Sequence, residues 1–156
     1  MGTPSIPGIA GLHAAQKWFA ELGRSTTGNG PDVSSHKAAC DAAQQHIHSL
    51  ENQTAHRLIE AFQDIPGVVI YGPAEKQPRV ATLSINIGDL PAEQVGTMLD
   101  ADYGLCVRAG LHCAPVIHRD QGTLERNGTV RIAPGYFTDD EDIEQAIKGV
   151  SEIATL

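Results

Sequence analysis

The sequence predicts an α+β fold (α/β in the broad sense), with a small, largely antiparallel four-stranded sheet and helices packed on one face. The chain has 156 residues, enough for one domain with its own apolar core. Helical and strand periodicities follow in the order α, α, β, β, α, β, β, α. Strands interrupted by one short helix are typical of a sheet covered by helices on one face. We therefore expect a single domain over residues 1–156, with a leading segment and helix at 1–23, a loop at 24–32, and the other helices and the sheet at 33–156.

Two helical patterns occupy the first part of the chain. Apolar side chains recur at helical spacing over residues 9–22, and Gly23 follows as a stop signal. A second pattern covers residues 33–65, as one helix or as two with a break near Asn52.

Strand signals dominate the second part. Residues 80–88 alternate between polar and apolar side chains, which predicts a strand with one buried face. A short helix follows, with Pro91 in its first turn and Gly104 at its end. The segments with strand character are 68–71, 80–88, 105–110 and 128–135.

The chain closes with an amphipathic helix. Thr138 is the expected N-cap, and the acidic residues after it suit the positive end of the helix dipole. The expected buried stripe is Ile143, Ile147, Val150 and Ile153.

Composition limits the class of function. A formal net charge of -8 argues against nucleic acid or an anionic membrane as the main partner. No apolar run approaches the ~18 residues that a membrane span needs. Three cysteines without a CxxC pair do not resemble a secreted disulfide scaffold, and Met1 is not followed by a signal peptide. We expect a cytoplasmic protein that binds neither nucleic acid nor membrane.

The segment RAGLHCAPVIH, residues 108–118, is the richest in chemistry. A thiol is nucleophilic only as the thiolate, which needs exposure and nearby positive charge or hydrogen-bond donors. Cys113 has such neighbours in sequence, so it is a candidate nucleophile. The alternative is a small buried hydrophobe, and spacing alone does not decide. Cys106, inside an apolar strand, is expected to lie in the core, and Cys40, on a helix among alanines, is expected to be structural.

A metal site is not predicted. His112, Cys113 and His118 are the candidate ligands, but adjacent residues rarely bind one ion well and no fourth ligand has suitable spacing.

Two arginines stand in otherwise apolar strands. Arg108 lies in CVRAG and Arg131 in TVRIA. A charge in such a strand must face solvent or bind something acidic, and a guanidinium grips a carboxylate with two parallel hydrogen bonds. The pair predicts a small acidic substrate, with simple exposure on an open sheet face as the alternative.

Several motifs resemble one family. GTPSIPGIAGL, IPGVVIYGP, RAGLHCAP and GTVRIAPGYF resemble, in order and over nearly the whole chain, the C-terminal part of the class V aminotransferases. Within these, the cysteine desulfurases, which use pyridoxal phosphate (PLP), are the best match. The resemblance implies the C-terminal small domain of a fold type I PLP enzyme.

The resemblance also implies roles for individual residues. Cys113 matches the cysteine that takes sulfur from L-cysteine or a similar amino acid as a persulfide, leaving alanine. Arg131 matches the arginine that holds the substrate carboxylate, and Arg108 matches a second arginine nearby. Thr3 matches a residue that reaches the PLP phosphate of the other subunit in a homodimer. His112 could tune the thiol, but it has no catalytic role in this interpretation.

The large domain that carries the PLP lysine in this family is absent from this sequence. The stretch SSHK, which ends at Lys37, imitates that lysine motif but comes after the GTP segment, whereas the family has it before. We expect that this chain alone neither binds PLP nor desulfurates cysteine. The alternatives are a non-enzymatic sulfur carrier or partner-binding module that uses Cys113, or a parent enzyme that is a selenocysteine lyase or another class V member. A sulfur-acceptor protein is an expected partner.

Overall fold

The computed structural model describes residues 2–27, 33–73 and 79–156. The chain groups into two compact units, residues 1–50 and residues 51–156, and each is considered by itself. A single domain over 1–156 stays a prediction. The elements are α1 (Ile6–Thr26), α2 (His36–Gln63), β1 (Val68–Tyr71), β2 (Leu83–Ile87), α3 (Ala92–Tyr103), β3 (Arg108–Gly110), α4 (Pro115–Asp120), a 3-10 turn (Leu124–Arg126), β4 (Thr129–Ile132) and α5 (Asp140–Ile153).

In the first unit, α1 is longer than predicted. It begins after Ser5, whose hydroxyl accepts a hydrogen bond from the Gly8 N–H (3.3 Å), and it continues through Gly23 to Thr26. The predicted stop at Gly23 is wrong because this glycine serves close packing. A Cβ at position 23 would lie 1.8 Å from the carbonyl oxygen of Ala39 on α2. Of the predicted loop, residues 24–26 are helical and residues 28–32 lie outside the described residues.

The second helix is continuous. The Ser35 hydroxyl accepts a hydrogen bond from the Ala38 N–H (3.1 Å), which caps the start of α2. The helix then runs 28 residues without a break at Asn52. Its last turns stay ordered because they enter the core of the second unit, where Leu58 and Phe62 are buried.

The second unit is built on a four-stranded sheet with the order β1-β2-β4-β3. All three strand pairs are antiparallel, which confirms the predicted fold class. One face of the sheet carries the core. Its side chains pack with those of α3, α5 and the end of α2: Leu83, Ile85, Ile87 and Val130 from the strands, with Val95, Leu99, Ile143 and Val150 among their helical partners.

Some elements of this unit differ from the prediction. The segments 80–88, 105–110 and 128–135 form shorter strands, and the sequence patterns did not reveal α4 or the 3-10 turn. Asp139, not Thr138, caps α5, because Asp139 and Asp142 form a reciprocal capping box. The Thr138 hydroxyl instead accepts a hydrogen bond from the Gly135 N–H (2.9 Å). In the buried stripe of α5, Ala146 and Gly149 are buried, whereas Ile147 is only half-buried.

Candidate functional site

A row of polar side chains crosses the face of the sheet opposite the core. Tyr71 pairs with Ser84, Ser84 with Arg131, and Arg131 with Arg108, one residue from each strand. Directly opposed residues in antiparallel strands point to the same face, and their sequence neighbours point to the other. The row therefore spans the open face from edge to edge.

Arg108 and Arg131 meet on this face as two like charges. Both are exposed, and neither forms an ion pair with an acid among the described residues. Like charges directly opposite each other destabilise a sheet. A bound carboxylate would relieve that repulsion and accept hydrogen bonds from the guanidinium groups. The structure thus brings the two predicted arginines together.

Cys113 lies on a tight turn just beyond β3. The Ala114 N–H donates to the Leu111 carbonyl oxygen (2.8 Å), and the two central residues, His112 and Cys113, have φ values of 50° and 58°. Positive φ at both central positions is the pattern of a type I′ turn, normally made with Asn and Gly. The turn holds Cys113 exposed, so the alternative of a buried small hydrophobe is wrong.

Two glycines allow this turn to approach β4. Gly128, immediately before β4, has φ 98°, and a Cβ there would lie 2.1 Å from the Gly110 carbonyl oxygen. The Asn86 amide Nδ2–H donates to the Gly128 carbonyl oxygen (3.0 Å), which ties this crossing point to β2. Only glycine combines this φ with so close an approach of two backbones.

His112 links the turn to β4 through its side chain. Its Nε2–H donates to the Thr129 carbonyl oxygen (3.0 Å), because a carbonyl oxygen can only accept. Its Nδ1 is buried and has no hydrogen-bond partner. Burial lowers the pKa of His112, and the nearby charges of Arg131, His118 and Arg108 lower it further, against the opposing effect of the Thr129 carbonyl. The ring is therefore neutral at pH 7.

His118 is a structural residue of the same segment. Only 6% of its surface is exposed, and its Nδ1 lies 2.8 Å from the Thr123 hydroxyl oxygen. That hydroxyl donates its proton to the His118 carbonyl oxygen (3.2 Å), so Nδ1–H of the ring must donate to the hydroxyl.

Across the described ranges, no group of three His, Cys, Asp or Glu side chains could hold a metal ion.

The remaining predicted residues lie elsewhere. Cys106 is exposed, so its assignment to the core is wrong. The reason is that β3 begins only at Arg108, which leaves Cys106 outside the strand. Cys40 is half-buried on α2, with its Sγ 3.6 Å from His36 Nε2. Thr3 is exposed, ahead of α1 in the first unit.

The residues that the structure describes do not fit PLP. The cofactor needs a lysine amine to attach to and cationic or N–H groups for its phosphate. Lys37 of the SSHK stretch is instead exposed and paired with Asp41 (2.5 Å), and this hydrogen bond and ion pair raise its pKa. Cys106 lines two cavities, of about 330 and 520 Å³, and both are lined by acidic, threonine and apolar residues without a lysine or arginine.

No helix in the described residues is long and apolar enough to cross a membrane.

Comparison with known proteins gives a consistent family. The family model described as "Aminotransferase class-V" matches residues 1–146. A probable cysteine desulfurase of Halalkalibacterium halodurans is 32% identical over 151 residues, which is 97% of this chain and 30% of that protein. A probable cysteine desulfurase of Vibrio cholerae is 30% identical over 155 residues, which is 99% of this chain and 32% of that protein. The chain thus spans about 30% of the length of these curated relatives.

Solved structures show the same fold. The apo cysteine desulfurase of Thermococcus onnurineus superposes with a TM-score of 0.65 at 23% identity, covering 81% of this chain and 32% of that one. A cysteine desulfurase of Escherichia coli gives a TM-score of 0.60 at 20% identity, covering 80% of this chain and 31% of that one.

Proposed function

The chain belongs to the class V aminotransferase family, and from that premise we propose that it supplies the sulfur-accepting part of a cysteine desulfurase. The overall reaction converts L-cysteine and the thiol of Cys113 into L-alanine and a persulfide on Cys113. The sulfur leaves the β-carbon of the substrate and forms a bond to Sγ of Cys113, and the carbon gains a proton. This family is PLP-dependent, and the cofactor supplies the electron sink that weakens the substrate carbon–sulfur bond.

The proposal rests on one observation. An exposed thiol on a left-handed turn lies at the end of a sheet face on which Arg108 and Arg131 stand opposed. His112, the neighbour of Cys113 in the chain, is close enough to both arginines for their charges to lower its pKa. A substrate whose carboxylate is held by these arginines would present its sulfur to a nucleophile in the same region.

The arginines and the thiol have separate tasks in this proposal. Arg131, supported by Arg108, would bind the α-carboxylate through charge-assisted hydrogen bonds and orient the substrate. Cys113 would attack as the thiolate, and its exposure leaves room for a bulky sulfur donor and then for a protein that accepts the sulfur. The homodimer and the contact of Thr3 with the PLP phosphate of another subunit remain parts of the proposal.

Sulfur transfer to Cys113 can be tested on this chain. Glutathione persulfide would be added at neutral pH, and peptides would be mapped by mass spectrometry. Attack of the Cys113 thiolate on the outer sulfur forms the protein persulfide and releases glutathione thiolate. We expect one added sulfur on Cys113, none in Cys113→Ser, and an unchanged yield in the matched control Cys106→Ser. Sulfur distributed equally over Cys40, Cys106 and Cys113 would contradict the proposal.

Turnover is a separate test. Incubated with PLP and L-cysteine, this chain should release no alanine above the level of Cys113→Ser, since the described residues do not fit the cofactor. Alanine release that depends on Cys113 would show that the cofactor expectation is wrong.

The exposed thiol also favours a second role. A carrier that takes persulfide sulfur from another protein needs an accessible nucleophile but no cofactor, and Cys113 meets that requirement. The two roles differ in whether Arg108 and Arg131 bind a free amino acid. Binding of free cysteine that is lost in Arg131→Gln would favour the desulfurase role over the carrier role.

A further inference from the structure

The turn that carries Cys113 is strained. Two consecutive residues that are not glycine, His112 and Cys113, have left-handed φ angles, and each such position costs free energy. The single hydrogen bond across the turn, from the Ala114 N–H to the Leu111 carbonyl oxygen, does not offset that cost. Strained backbone of this kind persists only where surrounding contacts hold it.

One contact between this turn and β4 comes from the side chain of His112. Gly110, the last residue of β3, pairs with Thr129, the first residue of β4. Just past Gly110 the backbone leaves the sheet, and the His112 ring donates to the Thr129 carbonyl oxygen at 3.0 Å. A side chain thus ties the strained turn to β4 at the point where strand pairing ends.

The anchor point lies close to the two arginines in the register of the sheet. Thr129 lies two residues before Arg131 on β4, on the same face of the sheet, and Arg131 pairs with Arg108. We infer that His112 is a positioning residue, whose bond to Thr129 keeps Cys113 in its left-handed turn at a fixed place beside Arg108 and Arg131. The inference rests on the proposed role of Cys113 as the reacting thiol.

The probe is a pair of alkylating agents that differ in charge. Iodoacetate and iodoacetamide both react by attack of the thiolate on carbon with loss of iodide, but only iodoacetate carries a carboxylate for the arginines. Because both rate constants contain the same fraction of thiolate, that fraction cancels in their ratio. The ratio therefore reports where the thiol lies relative to the arginines. The background is Cys40→Ser with Cys106→Ser, so that Cys113 is the only thiol.

Four variants separate the side-chain bond from other effects. His112→Ala should lower the iodoacetate-to-iodoacetamide ratio about fivefold, the size expected for one net hydrogen bond. His112→Gln should keep the ratio within about twofold of the parent value, because the Gln amide nitrogen is separated from Cα by the same number of bonds as His Nε2. His112→Asn tolerates the left-handed backbone but is too short to reach Thr129, so it should behave like Ala. His13→Ala, on α1, is the matched control and should leave the ratio unchanged.

The pH dependence is a second readout. The groups that face His112 are Arg131 on β4, Arg108 on β3 and His118 on α4, all of which oppose its protonation. Protonation of the His112 ring therefore favours a state in which the ring no longer contacts Thr129. The ratio should be constant above pH ~6.5 and fall as pH is lowered, and this fall should be absent in His112→Gln.

Each outcome decides the inference. An equal ratio in His112→Ala, His112→Asn and the parent overturns it, as does a parent ratio no higher than that of free cysteine. If His112→Ala does not fold, His112→Asn against His112→Gln makes the same comparison. If His112→Ala leaves the iodoacetate-to-iodoacetamide ratio unchanged and Cys113 still forms a persulfide, His112 has no positioning role, but the proposed function of Cys113 still holds.

Discussion

On one face of the sheet, Leu83, Ile85 and Val130 are fully buried against helices, whereas on the other face the neighbouring residues Ser84 and Arg131 line an open row. The first face is apolar and close-packed. The second contains buried polar atoms without hydrogen-bond partners, among them Asn86 Oδ1, Thr129 Oγ1 and His112 Nδ1, beside a turn with two left-handed residues. One face therefore stabilises the fold, and the other uses part of that stability to hold reactive groups.

The largest expected effect lies on the core face. Leu83→Ala should lower the free energy of unfolding by about 3 kcal/mol, because it removes a fully buried side chain from a packed core. Ser84→Ala, the next residue on the opposite face, should change it by less than about 0.5 kcal/mol. Urea denaturation measures both, and equal losses would mean that the two faces do not differ as described.

A glycine substitution tests the crossing point beneath the reactive turn. Gly128→Ala should cost roughly 2–3 kcal/mol, since its Cβ would clash with the Gly110 carbonyl and its φ of 98° disfavours a side chain. Gly135→Ala is the matched control, because its Cβ would meet no atom within 4 Å. In the single-thiol background, Gly128→Ala should also lose the preference of Cys113 for iodoacetate. A well-folded Gly128→Ala that retained this preference would show that the crossing point is not needed for the site.

Removing one of the opposed arginines should separate function from stability. Arg131→Gln should abolish the iodoacetate preference of Cys113, while the free energy of unfolding rises by roughly 0.2–1 kcal/mol as like-charge repulsion is relieved. Alkylation kinetics and urea denaturation on the same sample test both statements. A marked loss of stability would instead mean that Arg131 supports the fold.

The smallest effect is the pH dependence of stability from His112. Its pKa is lowered in the folded state, so its contribution to stability is complete above the unfolded pKa of about 6.5 and is lost as pH falls through the lower folded value. Between pH 7.5 and pH 5, the unfolding free energy of the parent should therefore fall relative to that of His112→Gln. A shift in the opposite direction would contradict the neutral ring.

The two faces also differ in how far the sequence could predict them. Alternation over 80–88 predicts the buried side of β2, because burial follows a period of two. The sequence alone identifies an arginine in each of two apolar strands. That Arg108 lies opposite Arg131 depends on strand register, which no local pattern specifies.

Where the structure differs from the sequence-based predictions, the causes are local and physical. Gly23 resembles a helix stop, but its missing side chain serves the approach of α2. The turn at His112 and Cys113 lacks the Asn and Gly that usually mark left-handed positions, so composition does not reveal it. The apolar neighbours of Cys106 predict that it lies in a strand, yet strand pairing starts only at Arg108.

The most direct test compares the two exposed thiols on either side of β3, Cys113 and Cys106, in the unmodified chain. A limiting amount of iodoacetate would be added at neutral pH, and labelling would be resolved by site with mass spectrometry. Cys113 should be labelled about tenfold faster than Cys106, because an attraction of ~1.4 kcal/mol between iodoacetate and the arginines corresponds to a tenfold difference in rate. Equal labelling, or faster labelling of Cys106, would contradict the claim that the open face is a site for an acidic substrate and a nucleophilic thiol.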